Sequence, residues 1–158
     1  MDWFVMNARD ARWLDSPLGR FCEFEPEGER FEQLGLNLNL LQPGEGMTMY
    51  HRENMQEDFL VLDGECLLIV QGEERPLKKW DLFHCPPGVA HAIVGAGDGP
   101  SLVLAVGARG GDGSVLYPAD PVAQKHGVGV AAETPSPKDA YAGMEFPPTA
   151  YQEGWLPE

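Results

Sequence analysis

The stretch "LGLNLNLLQPGEG" sets leucines at 34, 36, 38 and 40 against Gly35, Asn37 and Asn39. Only an extended chain turns a period of two into one apolar face and one hydrated face. Pro43-Gly44 then turns the chain. Further short strand candidates follow at 47–53, 58–62, 66–71, 81–85, 90–94 and 102–107, each bounded by turn residues. Asp63-Gly64 and the "QGEE" segment at 71–74 read as hairpin connections. No run of ten residues in this region carries a helical period, so the strands have no helices to cross over with. Antiparallel sheets folded into an all-β sandwich or barrel are the expected outcome. The 19 glycines and 14 prolines among 158 residues suit such a turn-rich chain, and the length suits one domain.

Beyond residue 107 the composition shifts toward Gly, Pro and Ala. The expected organisation is a barrel over residues 1–110, including N-terminal edge strands, and a C-terminal extension over 111–158. That extension is expected to lie on the barrel or on a partner subunit. Within it, Asp120 as N-cap, Pro121 in the first turn and Gly127 past the end frame a short helix. Ser136, Pro137 and Gly143 frame another, and residues 128–130 are a candidate short strand. Tyr141, Phe146, Tyr151, Trp155 and Leu156 are spaced as anchors for a tail.

A net charge of -14 repels phosphate backbones and anionic membrane surfaces, so neither nucleic acid nor membrane is expected as a partner. The N-terminus lacks a basic start followed by an apolar core, and no apolar run reaches the length of a membrane span. Cys22, Cys66 and Cys85 are widely spaced and without a CxxC pair, which fits buried thiols in a reducing, cytoplasmic compartment.

The stretch "YHRENMQEDFLVLDGE" concentrates polar chemistry next to a strand. Residues two apart on a strand share a face, so His51 and Glu53 are expected to point the same way, with Met47 and Met49 beside them. Glu57 shares parity with Phe59 and Val61, and points inward if they do. Downstream, "HCPPGVAHAIVG" places His91 just after a Pro-Pro-Gly turn. Two imidazoles and two carboxylates from three strands could meet inside a small barrel, where an unpaired buried carboxylate is costly and a cation resolves it. His84 is expected to pack in the core, with pocket lining as the alternative. His126 suits a helix C-terminus, and Cys66 and Cys85 suit a core as small hydrophobes.

These residues resemble the two motifs of the cupin superfamily. His51, Glu53, Glu57 and Gly64 stand as H-x-E-x3-E-x6-G, and Pro86, Gly88 and His91 as P-x-G-x2-H. Glu53 replaces the common second histidine, Trp80 the opening glycine of the second motif, and Gly95 its closing asparagine. The resemblance implies a double-stranded β-helix, or jelly-roll barrel, holding a divalent metal on His51, Glu53, Glu57 and His91. Two carboxylates in that set favour manganese or iron(II), with zinc, nickel and copper also open. Glu53 is alternatively a general base beside a three-ligand metal, or a solvated rim residue. Two functions lead: an enzyme acting on a small organic molecule, of dioxygenase, decarboxylase or isomerase type, or a module that binds a small ligand without turnover; a third, a structural or oligomerisation role, predicts no pocket. Small cupins commonly pair as homodimers, and Trp3, Phe4 and Trp13 are candidates for an edge strand that reaches a partner.

Overall fold

The computed structural model describes residues 2–158. Twelve strands are assigned among them, and every ladder is antiparallel. In chain order they are β1 (Arg12–Leu14), β2 (Arg20–Glu23), β3 (Leu34–Leu41), β4 (Arg52–Glu53), β5 (Glu57–Asp63), β6 (Glu65–Val70), β7 (Glu73–Lys78), β8 (Leu82–Cys85), β9 (His91–Ala96), β10 (Ser101–Ala108), β11 (Val115–Leu116) and β12 (Pro148–Thr149). The larger sheet has the order β12-β1-β2-β3-β10-β5-β8 and the smaller the order β7-β6-β9. Bridges from Gly46 to Val94 and from His51 to His91 add the 46–53 segment to the free side of β9, and the β4–β11 ladder continues outward from there. The fold is the expected all-β jelly roll, with short helices α1 (Pro121–Lys125) and α2 (Pro137–Ala140) in the C-terminal part.

Alternation decides what each sheet buries. Leu41, Phe59, Val61 and Val103 of the larger sheet meet Cys66, Leu68 and Ile93 of the smaller in one cluster, the barrel interior. Each such side chain, when fully buried, contributes about 1.5–3 kcal/mol. Both outer faces are covered as well. Trp13, Cys22, Leu38, Leu40 and Leu102 form a cluster outside the larger sheet, with Tyr151 and Trp155 packed against it. Ile69, Ala92 and Val94 form another outside the smaller sheet, together with Ala123 and Val128 from the C-terminal part. All three cysteines are buried and free.

The helix signals act as expected. Asp120 caps α1 by accepting from the Val122 and Ala123 amides, both at 2.9 Å, and Ser136 Oγ accepts from Asp139 N to cap α2. His126 closes α1 as its C-cap, and its Nε2 lies 2.6 Å from Glu74 Oε1. Residues 128–130 form no strand, although Val128 O accepts from Tyr50 N.

Several sequence expectations need correction. The asparagine face of β3 is not the hydrated one: Asn39 is 5% exposed and looks into the barrel, while Leu38 and Leu40 look out and are roofed by the chain termini. Asp63-Gly64 is no hairpin, because β5 and β6 belong to different sheets; Gly64 turns the corner between them. A Cβ there would meet Pro100 O at 2.4 Å on a backbone already at φ +74. Gln71-Gly72 is a true two-residue hairpin, both residues at positive φ, and β7 follows it. β7, "EERPLK", escapes an apolar pattern because it is an exposed edge strand, where charge and Pro76 discourage further pairing. Trp13 is not offered to a partner either, since β2 and β12 flank its strand and the side chain is fully buried.

The barrel rim near the start of β3 is tied by Arg109. Its Nη1 donates to Glu25 Oε1 and, at 2.6 Å, to Phe31 O, while Glu25 Oε1 also accepts from Phe31 N at 2.7 Å. The guanidinium lies over Gly35, where a Cβ would come within 2.9 Å of Nη2. Replacing Arg109 by Leu is expected to cost about 1–3 kcal/mol at neutral pH by stripping charged hydrogen bonds from half-buried partners. Arg109 holds the Glu25 carboxyl below its ordinary value of 4.5, so this contribution is present above that value and is lost as pH falls through the lowered one. Urea unfolding of the two proteins should therefore differ at pH 7 and converge in acid.

Candidate metal centre

The Pro86-Pro87-Gly88 turn delivers His91 to the first position of β9, and β5 begins at Glu57 directly after the β4 bend. Gly88 sits at φ +83, a conformation glycine adopts without strain, and its amide donates to Glu53 O at 2.7 Å. This hydrogen bond joins the two motifs. The backbones of His51 and His91 exchange both amide hydrogen bonds, at 3.1 and 2.9 Å, which sets the imidazoles side by side with ring centroids 4.9 Å apart.

Donor atoms of His51, Glu57 and His91 all lie within 4.8 Å of one another. Glu57 Oε2 is 3.1 Å from His91 Nε2 and 3.6 Å from His51 Nε2. Each imidazole is anchored from behind: Nδ1 of His51 donates to Met49 O at 2.8 Å and Nδ1 of His91 to Val89 O at 3.0 Å. Backbone carbonyls only accept, so each Nδ1 carries a hydrogen and both Nε2 atoms are turned toward the carboxylate. Lone pairs facing a carboxylate oxygen repel unless a proton or a cation lies between them. Glu57 Oε2 and His91 Nε2 are, accordingly, buried polar atoms without a hydrogen-bond partner among the described residues.

The donor set therefore fits a divalent cation: two imidazoles whose Nδ1 atoms are held by carbonyls, and one carboxylate. Burial alone would raise the Glu57 carboxyl, but the imidazoles beside it outweigh burial and hold it well below the usual carboxylate range. Burial works against a charged His51 as well, and there Glu57 wins and raises the imidazole.

Glu53 is placed differently. Its carboxyl adjoins Glu57 but stays outside the cluster of converging donor atoms. Burial first, and then the neighbouring Glu57 charge, push it up to about 7. It lines a cleft of about 410 Å³ with Arg52, Asn54, Gly88 and Leu116. Of the two carboxylates in the expected donor set, Glu57 is the one whose oxygen converges with the imidazole nitrogens.

Neighbours of the centre include groups that strand parity did not reveal. Tyr117 stacks obliquely on His51 with centroids 5.7 Å apart, and Tyr141 meets Tyr117 edge-on at 5.9 Å. Tyr141 was legible only as a tail anchor, and nothing local in the sequence singles out Tyr117. Phe59 and Phe83 wall the other side, each within 6 Å of the His91 ring. Cys85 Sγ lies 3.3 Å from His91 Nδ1, and burial pushes its thiol up to about 12, so it packs as a neutral group.

Two expectations about faces do not hold. Met47 joins the barrel interior whereas Met49 joins the outer cluster, because the chain bends between them. The C-terminal part takes the amides that a straight strand would use: Met49 N donates to Tyr141 Oη and Tyr50 N to Val128 O. His84 is exposed, not in the core. In the β5–β8 register it pairs with Asp58 on the outer face, and its Nδ1 lies 2.6 Å from Asp58 Oδ1.

Residues 38–107, which carry the site, match the family model described as "Cupin domain". This region is a cupin domain. Solved structures agree on the fold. The chain aligns with the polyketide cyclase RemF from Streptomyces resistomycificus at 15% identity and a TM-score of 0.58, covering 68% of this chain and 80% of that one. It aligns with a protein described as a predicted oxalate decarboxylase from Thermotoga maritima at 19% identity and a TM-score of 0.58, covering 66% and 98%. A Cupin 2 conserved barrel domain protein from Salinispora arenicola aligns at 17% identity and 0.54, covering 80% and 96%. A search of curated proteins finds no match. No helix among the described residues is long and apolar enough to cross a membrane.

Proposed function

We propose that this cupin holds one divalent metal ion on His51, Glu57 and His91 and acts on a small organic molecule. The observation that carries the reading is the pair of buried, unpartnered atoms, Glu57 Oε2 and His91 Nε2, set 3.1 Å apart in a cluster of three donors. Two imidazoles and one carboxylate suit iron(II), manganese or zinc. Three protein ligands leave positions for water and substrate, and the ion would supply Lewis-acid or oxygen-activating chemistry there.

The chain's own residues account for the rest. The Met49 and Val89 carbonyls hold the imidazoles in the ligating tautomer. Phe59, Phe83 and Tyr117 keep bulk water from the rings. Glu53, next to Glu57 and at a cleft, is the group placed to move a proton to or from a bound molecule. A homodimer in the cytoplasm remains part of this proposal, and light scattering at a mass near the 17.3 kDa monomer would remove the dimer.

Elemental analysis of protein purified without added ions tests the reading. Stoichiometric metal that disappears in His51→Ala is expected; a protein that is metal-free and cannot be reloaded with iron(II), manganese or zinc would instead be a binding module. Glu53→Gln separates the two roles for that residue. It is expected to keep the wild-type metal content within about twofold, since the lost charge lies outside the donor cluster. Loss of metal in Glu53→Gln would make it a ligand.

A further inference from the structure

The inner face of the larger sheet leads away from the centre in rows, because directly opposed residues of antiparallel strands share a face. Glu57, Gly107 and Gly35 form one row. Phe59, Ala105 and Asn37 form the next, followed by Val61, Val103, Asn39 and Phe21. The middle strand thus offers Gly107 and Ala105 between the metal donors and the asparagines. A Cβ added at Gly107 would meet no atom closer than Glu57 Cγ at 3.8 Å, an ordinary contact distance, so the inner face along this strand carries only small residues beside the Glu57 side chain.

At its far end lies a cleft of about 330 Å³, walled by Phe21, Met47, Tyr141 and Phe146 and bearing the carboxamides of Asn37 and Asn39. Four other clefts of this size or larger each carry Asp, Glu or Arg; this one carries none of these and no Lys. Its rings are mutually braced: Phe146 meets Phe21 at 6.4 Å and Tyr141 at 5.9 Å, both edge-on. Asn39, 95% buried by its 5% exposure, donates through Nδ2 to Asn37 Oδ1 at 2.8 Å. That bond leaves the Asn39 carbonyl and the Asn37 amide without a protein partner among the described residues. Neither atom is among the buried unpaired polar atoms of the described residues, so both are open to the cleft, where a ligand or water pairs with them.

We propose that the cleft binds an uncharged aromatic molecule, of about two fused rings, with its ring between Phe21, Tyr141 and Phe146 and a hydroxyl or carbonyl on the Asn37–Asn39 pair. The free carbonyl accepts from a hydroxyl and the free amide donates to an oxygen, so the pair reads a neutral polar group in either sense. An anion would find no countercharge in the cleft and would carry the desolvation cost of burial. The volume, at the lower end of small-molecule sites, limits the size. This deepens the metal-dependent reading, on which it rests only for the direction the ligand extends, over Ala105 and Gly107 toward the donors. Two of the three aromatic walls, Tyr141 and Phe146, come from the C-terminal part, which thereby becomes a determinant of specificity.

The test uses the full chain, with and without manganese, titrated at pH 7 with 2-naphthol and with 2-naphthoate by ligand-observed NMR, while metal content is measured separately. Saturable binding of 2-naphthol at least about tenfold tighter than 2-naphthoate is expected. Asn39→Leu should weaken 2-naphthol about tenfold without changing metal content. Ala105→Phe, which puts a ring on the inner face beside Asn37, should weaken binding at least about tenfold. If Asn39→Leu does not fold by near-ultraviolet circular dichroism, Phe146→Ala, at a partly exposed wall, carries the test with the same expected loss. Equal or tighter binding of 2-naphthoate, absence of 2-naphthol binding, or a folded variant that binds as wild type overturns the proposal. Naphthol binding in a protein that holds no metal would sink the metal reading and leave this one standing.

Discussion

Replacing Glu57 by glutamine is expected to lower metal affinity by at least about a hundredfold, since loss of a group that merely orients a ligand already costs 10–100-fold. The substitution keeps the shape of the side chain but removes the only carboxylate in the converging set. Its effect on stability should be larger with metal than without. Without metal, the imidazoles hold the Glu57 carboxyl well below the usual carboxylate range and Glu57 raises His51, so the variant loses a favourable charged contact and is expected to melt modestly lower than the wild type. With metal at a hundred times its dissociation constant, the wild type gains about 2.7 kcal/mol that the variant does not. Thermal melts of both proteins with and without added metal, alongside chelator competition, read this difference. A gap between the two proteins that added metal does not widen would mean the carboxylate is structural.

Trp13→Ala should produce the largest loss of stability, about 3–5 kcal/mol. The indole is fully buried, its Nε1 donates to Ala8 O at 2.9 Å, and Trp155 and Tyr151 pack on it with centroids 5.2 and 6.1 Å away. The same change should release β12, whose register partners are Trp13 and Leu14, so limited proteolysis is expected to begin in residues 145–158. Metal affinity should hold, because this cluster lies outside the larger sheet and the donors lie within the barrel. Trp3→Ala, at a side chain 91% exposed, is the control and should change stability by no more than about 0.5 kcal/mol. Urea unfolding followed in parallel distinguishes the two.

What could be read in the sequence and what could not follows from how local each signal is. The motif spacing sufficed to bring out His51, Glu57 and His91, because strand period and the Pro-Pro-Gly turn fix their direction within a few residues. The caps at Asp120 and Ser136 were equally self-contained. Glu53 was ambiguous for a physical reason: strand parity sends it toward the barrel with His51, but reach to a common centre depends on how far the 51–53 segment stands from β5. The bend at 47–50 was invisible because its cause lies some ninety residues away in Tyr141, whose hydroxyl occupies the Met49 amide. Asn37 and Asn39 were assigned to solvent by a rule that holds when one face of a sheet is wet. Here both faces are covered, and polarity marks the cavity instead. His84 went astray because an edge strand such as β8 exposes residues that the same sequence would bury in a central one.

The pairing of β1 with β12 has a consequence for how the polypeptide emerges during synthesis. Trp13 is translated early, but the residues that shield it arrive more than 130 positions later, which at ribosomal rates is roughly 7 to 30 s. Over that interval the outer flank of the nascent sheet bears a naked indole beside an unfinished hydrogen-bonding edge, the state in which a chaperone or a neighbouring nascent chain would find most to hold.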